Sequence, residues 1–127
     1  MKKIIYFLII ILSLACSEKR KEVNQDLIYF NSDFLAELGD ENYEKYESEL
    51  KSKINAKYID KIIYISKTID ANACGNYTGD IEIKKDSIIL IYKLTSDEVC
   101  TSTSVVKATY IIKNPKEKKY KFDIRYE

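Results

Sequence analysis

Three cysteines, Cys16, Cys74 and Cys100, and no histidine define what chemistry this chain of 127 residues can carry. Without imidazole, Ser-His-Asp and Cys-His nucleophiles, HExxH metal sites and the usual neutral-pH proton shuttle cannot be assembled. Ser102 and Ser104 attract attention because alternation places them on the apolar face of an expected strand, but no imidazole is available to activate either hydroxyl. Asp40-Glu41 and Asp97-Glu98 are adjacent carboxylates. Catalytic carboxylate pairs work at a defined separation through space, whereas neighbours on a turn are usually solvated. No run of acids has the spacing of a calcium loop. The sequence therefore assigns no catalytic residue, no metal ligand and no cofactor.

The clearest pattern is at the amino terminus. Met1-Lys2-Lys3 precedes Ile4 to Leu12, nine residues without a charge, and then Ser13-Leu14-Ala15-Cys16. This is the layout of a signal peptide. The apolar stretch is shorter than the roughly 20 residues a bilayer span requires. An ordinary secretory peptide cut after Ala15 would leave Cys16 as a plain thiol. The run Leu12-Ser13-Leu14-Ala15-Cys16 resembles the lipobox of bacterial lipoproteins, in which an apolar or small tripeptide precedes a Cys that is diacylated and becomes the first residue. Ser13 stands where that family usually has Leu. The resemblance implies a leader over residues 1–15, lipid on Cys16 and the membrane as partner through that lipid. It also implies a place in the bacterial cell envelope, and Ser17, in place of Asp, points to the outer membrane. Two or three acyl chains make such an attachment durable where one is reversible.

With Lys2 and Lys3 removed, 19 basic side chains face 20 acidic ones. Only two of the basic residues are Arg, the side chain suited to bidentate phosphate and guanine recognition, so nucleic acid is excluded as a partner. Once Cys16 carries lipid, Cys74 and Cys100 remain as a pair in an oxidising compartment, and a disulfide is expected. The alternatives are two free thiols or a redox centre, although neither Cys sits in a CxxC.

Polar residues from Ser17 to Gln25 suggest a flexible tether over residues 16–25, leaving residues 26–127 as one domain. Hydrophobic residues make up 46% of the chain, too many for a disordered one, and Gly 3 with Pro 1 excludes linker-like and collagen-like classes. Phe34, Leu35 and Leu38 at helical spacing before Gly39 predict a first helix. Tyr43, Tyr46, Leu50 and Ile54, with Glu41-Lys45, Glu47-Lys51 and Glu49-Lys53 pairs, predict a second from Glu41 to Lys57.

Beyond Tyr58 the period becomes two. A strand is expected over Lys61 to Ile69, then a hairpin turning at Lys85-Asp86. Its register sets Ile83 opposite Ile88, Ile81 opposite Leu90, Gly79 opposite Tyr92 and Tyr77 opposite Leu94. Gly79 leaves room there for the Tyr92 ring. Ile89 and Ile91 on the other face make Ser87 to Thr95 a central strand. Another strand runs from Val99 to Ile112, followed by a turn at Asn114-Pro115-Lys116-Glu117. The alternating Tyr120, Phe122, Ile124 and Tyr126 are then expected to pair back onto Ile112, Tyr110, Ala108 and Val106.

In that register Ser102 and Ser104 lie on the apolar face beside Tyr92 and Leu90, as a site or as the mark of a β-bulge near Ser104 to Val106. Cys74 and Cys100 fall at one end of the meander, which supports their pairing. Asp86-Ser87-Ile88 resembles the short Asp-Ser/Thr-apolar O-glycosylation signal of some Bacteroidota envelope proteins. The expected fold class is α+β: one or two N-terminal helices packed on a four- to five-stranded, mostly antiparallel meander. It resembles a cystatin-like or nuclear-transport-factor-like roll, and such an analogy carries no function. Two function classes follow. A non-catalytic envelope module would bind a protein or small ligand through an exposed apolar or aromatic patch. A carboxylate-dependent hydrolase or carbohydrate-active enzyme would need convergent acids in a concave pocket.

Overall fold

In the computed structural model, which describes residues 22–127, strands take up more than half of the described chain. The expected leader and Cys16 lie outside the described residues. Among these, seven strands and one α-helix form: β1 (Leu27–Glu37), α1 (Tyr43–Ser48) with a 3-10 turn (Glu49–Lys51), β2 (Asn55–Ile59), β3 (Ile62–Asn72), β4 (Tyr77–Ile83), β5 (Ser87–Leu94), β6 (Thr103–Lys113) and β7 (Lys121–Tyr126). This overturns the α+β expectation of N-terminal helices on a meander. The first expected helix is strand β1, and the second shrinks to α1 before the chain extends into β2.

The strands form two sheets. The larger has the order β1-β6-β3-β2 and is antiparallel throughout; the smaller has the order β4-β5-β7, with β7 parallel to β5. Ile63, Ile65 and Ile69 of β3, with Ala108, Tyr110 and Ile112 of β6, meet Ile81 of β4 and Ile88, Leu90 and Tyr92 of β5 in one core. The sheets therefore pack face to face as a sandwich. Each such buried side chain contributes about 1.5–3 kcal/mol. Across this core the Tyr110 hydroxyl donates to the Ile91 carbonyl at 2.9 Å, so the largest apolar payload of β6 is also tied to the opposite sheet.

The hairpin β4-β5 has the register expected from alternation, from Ile83↔Ile88 to Tyr77↔Leu94. The ring over Gly79, however, belongs to Phe30 of β1, which a Cβ at that position would strike. The expected third hairpin does not form. Asn114 to Glu117 does turn, with Glu117 N–H bonded to Asn114 O at 2.9 Å. The Asn114 side chain then holds Lys118 through its N–H and carbonyl, each at 3.0 Å. The connection crosses to the smaller sheet, where β7 pairs with β5 and not with β6.

Helix α1 and the 3-10 turn lie on the outer face of the larger sheet, where Tyr43, Tyr46 and Leu50 meet Leu35, Ala36 and Val105. Of the expected tether, Asn24 donates its N–H to Asp80 Oδ1 of β4 at 2.8 Å.

Candidate functional site

Two connections carry the chain between the sheets at one end of the sandwich, residues 73–76 from β3 to β4 and residues 95–102 from β5 to β6. The disulfide Cys74–Cys100 joins them, with the Cα atoms 5.6 Å apart. The expected pair is thus present, although it staples two inter-sheet crossings and not the end of a meander. Closing a loop of this length stabilises by about 3.5 kcal/mol through chain entropy. Asn72, the last residue of β3, organises both cysteines. Its Oδ1 accepts the N–H groups of Cys74 and Cys100, each at 3.1 Å, and its Nδ2 donates to the Cys100 carbonyl.

Two cavities flank these crossings. The first, about 390 Å³, lies where the smaller sheet stops short of the larger one; Ser32, Phe34, Ser104 and Val106 form its floor and Asn76 and Tyr77 its wall. The second, about 410 Å³, opens on the other side of Tyr77, between Ala71, Tyr92 and Tyr126 and the rim Thr101 to Thr103. The Tyr77 ring stacks on Tyr92 with centroids 4.5 Å apart and planes at 16°, while Tyr126 meets Tyr92 edge-on at 6.3 Å. Such aromatic pairs add about 0.5–1.5 kcal/mol beyond area burial. Tyr126 keeps 55% of its surface exposed and Phe34 keeps 59%, so each cavity has an aromatic side chain at its mouth.

Burial pushes the Tyr92 hydroxyl up to about 12, its hydrogen bond to Ser32 at 2.8 Å opposing the shift in part. Burial also raises Tyr126, with the Asp70 carboxylate adding to it. Both phenols stay protonated at neutral pH, as hydrogen-bonding and stacking groups.

The candidate serines are occupied. Ser104 is 2% exposed on the inner face, and its hydroxyl donates to the Ala71 carbonyl at 3.3 Å. Its strand neighbours are Glu37 of β1 and Ala71 of β3, not Leu90 and Tyr92, because β6 belongs to the larger sheet. A register irregularity does occur here, with the extra residue, Leu35, on β1 opposite Val105 and Val106. Ser102 donates to Glu37 Oε1 at 2.6 Å, closing the end of β1 onto the start of β6.

Ser104 and Lys107 stand at SxxK spacing, which sets two side chains together on a helix. On strand β6 it turns Ser104 inward and leaves Lys107 exposed, so the pair cannot act together. The same spacing recurs at Ser48 and Lys51, where the Ser48 hydroxyl donates to the Lys45 carbonyl at 2.6 Å.

Acids at the second cavity are partnered too. Asp70 accepts from the Thr103 hydroxyl, and Glu127 pairs with Arg125 at 3.0 Å. Asp97 and Glu98 are exposed on the 95–102 crossing, and Asp40 Oδ2 accepts the Glu37 N–H at 2.8 Å. Ser87 of the glycosylation-like tripeptide is half-buried at the start of β5, and its carbonyl accepts the Lys84 N–H at 2.8 Å.

Asn72, Tyr77, Tyr126 and Phe34 complete this end of the molecule without any sequence signal that singled them out. The nearest hint was the alternation that put Tyr77 opposite Leu94. No family model matches the chain, and neither does any curated protein or solved structure.

Proposed function

We propose that the protein is a non-catalytic binding module of the bacterial envelope, held by lipid on Cys16, that takes its ligand or protein partner at the disulfide-stapled end. One observation carries the reading. The carboxylates and serines at the cavities are already hydrogen-bonded within the fold, Ser32 to Tyr92 and Ser104 to the Ala71 carbonyl at the first, Ser102 to Glu37, Asp70 to Thr103 and Glu127 to Arg125 at the second, while aromatic surface stands open. Such a surface supplies shape, stacking and desolvation. It offers no prepared proton transfer.

The leader-like start and Cys16 support the anchor, since acyl chains on Cys16 would hold the chain at the membrane by themselves. Crosslinked recovery of the acylated protein from its own envelope tests the assignment, run in parallel with Tyr126→Ala and Phe34→Ala. One stoichiometric partner or ligand retained by the parent chain and lost with either variant supports it. Equal recovery with the parent and both variants places binding elsewhere and overturns it. A Cys16→Ser chain that stays membrane-bound removes the anchor from the account.

A further inference from the structure

β1 is an outer strand of the larger sheet, and the ladder fixes which of its backbone groups face outward. Lys113 N–H bonds to Asp26 O, and Asn114 N–H bonds to Lys61 O. Antiparallel alternation then turns the odd-numbered residues of β6 toward β1 and the even-numbered ones toward β3. The bond from Ala73 N–H to Ser102 O at the far end agrees. Since Tyr29, Asn31 and Asp33 oppose Ile111, Thr109 and Lys107, they spend their backbone groups on β6. Those of Phe30, Ser32 and Phe34 point away from the sheet, and among the described residues no strand pairs with that edge.

Edges of this kind are usually guarded by Lys, Pro or a bulge. β1 reads LIYFNSDFLAE, without Lys, Arg or Pro. Its two irregularities lie at Ile28 and Leu35, leaving Tyr29 to Phe34 in unbroken register. Tyr29 is 48% exposed and Phe34 is 59% exposed along the same run.

We infer that a second copy of this chain pairs antiparallel along this edge, about a two-fold axis at Ser32. The strand is complementary to itself in that register. Ser32 meets the partner's Ser32, and Phe30 meets the partner's Phe34, each of these pairs exchanging both main-chain bonds. On the outer face Asn31 meets the partner's Asp33. Asn31 Nδ2 already donates to Asp33 Oδ1 of its own strand at 2.6 Å, so a second amide has the other carboxylate oxygen to use.

Neighbouring registers are poorer. An axis at Asn31 opposes Tyr29 to Asp33, and an axis at Asp33 sets two carboxylates face to face. The chosen pairing is isologous and closes on itself, so it yields a dimer and not a fibre. It also brings the partner's Phe30 beside Phe34, which lines the first cavity, so the second copy contributes to that cavity.

Sedimentation of the full-length chain in detergent over a concentration series tests the inference independently of the proposed ligand site. The expected result is a protein mass rising from one chain to two. Asn31→Asp sets two carboxylate pairs across the interface and weakens association by about tenfold. Asn31→Lys places an ammonium opposite each Asp33 and tightens it by a similar factor, both variants keeping the parent's urea midpoint at a dilution where every chain is single. A single chain at every concentration overturns the inference, as does a shift of both variants in the same direction. A monomer that instead takes up an extended peptide along β1 also overturns it, in favour of a foreign strand.

Discussion

The sandwich has two flanks, and they are closed by different means. On the β2/β7 flank Tyr58 lies against Phe122 with centroids 6.5 Å apart, and its hydroxyl accepts the Tyr120 N–H at 3.0 Å. The Lys119 ammonium sits 3.6 Å above the same ring. Aromatic, hydrogen-bonding and cationic contacts converge there on one side chain. On the β1/β4 flank the sheets meet through Phe30 against Gly79, and toward the disulfide they part around the first cavity. Directional and cationic contacts converge on one side chain at the first flank, whereas at the second a ring packs on a glycine, the hydrogen bonds Ser32 to Tyr92 and Asn24 to Asp80 lie apart from it, and a strand edge stays free among the described residues. The second arrangement leaves surface available for binding.

Five perturbations break or sharpen that contrast. Replacing both Cys74 and Cys100 by Ser should lower the unfolding free energy by about 3.5 kcal/mol, read from the urea midpoint. The loss falls on the end where the open flank and both cavities lie, so their protection should drop more than that of β2 and β7. A change below about 1 kcal/mol would mean that Asn72 alone secures the crossings.

The next effect is a pH dependence. Burial raises Tyr92 to about 12 and raises Tyr110 as well, so the folded state holds protons that the unfolded state gives up near its ordinary phenol pKa of about 10. The contribution is complete below pH 10 and fades as the pH climbs through the folded value. Urea midpoints should fall above pH 10, and Tyr92→Phe should fall less steeply; an unchanged slope would remove Tyr92 as a source.

Gly79→Ala drives a methyl into the Phe30 ring and should cost about 2 kcal/mol by overpacking. It acts on the flank where the polar ties, Ser32 to Tyr92 and Asn24 to Asp80, lie on other residues than the ring itself. On the sealed flank, Tyr58→Phe leaves the Tyr120 N–H without its acceptor and should cost about 1 kcal/mol. Phe34→Ala should move stability by less than about 0.5 kcal/mol because the ring is mostly exposed, even where it abolishes binding. A larger loss for Phe34 than for Tyr58 would reverse the comparison.

The hairpin β4-β5 was legible to the residue because alternation and a tight turn are local signals. β1 was not, and its bulges explain why. The extra residue at Leu35 shifts the phase of the strand, so Phe34, Leu35 and Leu38 take on three-and-four spacing that imitates a helix. A similar coincidence hid β2: Ile54, Ala56 and Tyr58 alternate onto the core, while Tyr46, Leu50 and Ile54 also recur every four residues. Only Tyr43 of α1 is buried, and Ser52 is already extended, so the Glu–Lys pairs could not sustain a longer helix.

The alternation of β7 reads as a strand, yet its parallel pairing with β5, in the sheet opposite β6, is a non-local choice that no repeat announces. The cysteine pair was legible from its count and compartment. Asn72 was not, since an amide reveals its role only when both backbone segments are beside it.

Residue-resolved amide hydrogen exchange along β1 of the full-length chain tests the open-edge account most directly. At high dilution Asn31 and Asp33 should be protected while Phe30, Ser32 and Phe34 exchange rapidly, and the latter three should slow together as concentration rises. Equal protection of all five at dilution, as a helix or an edge already covered would give, would contradict it.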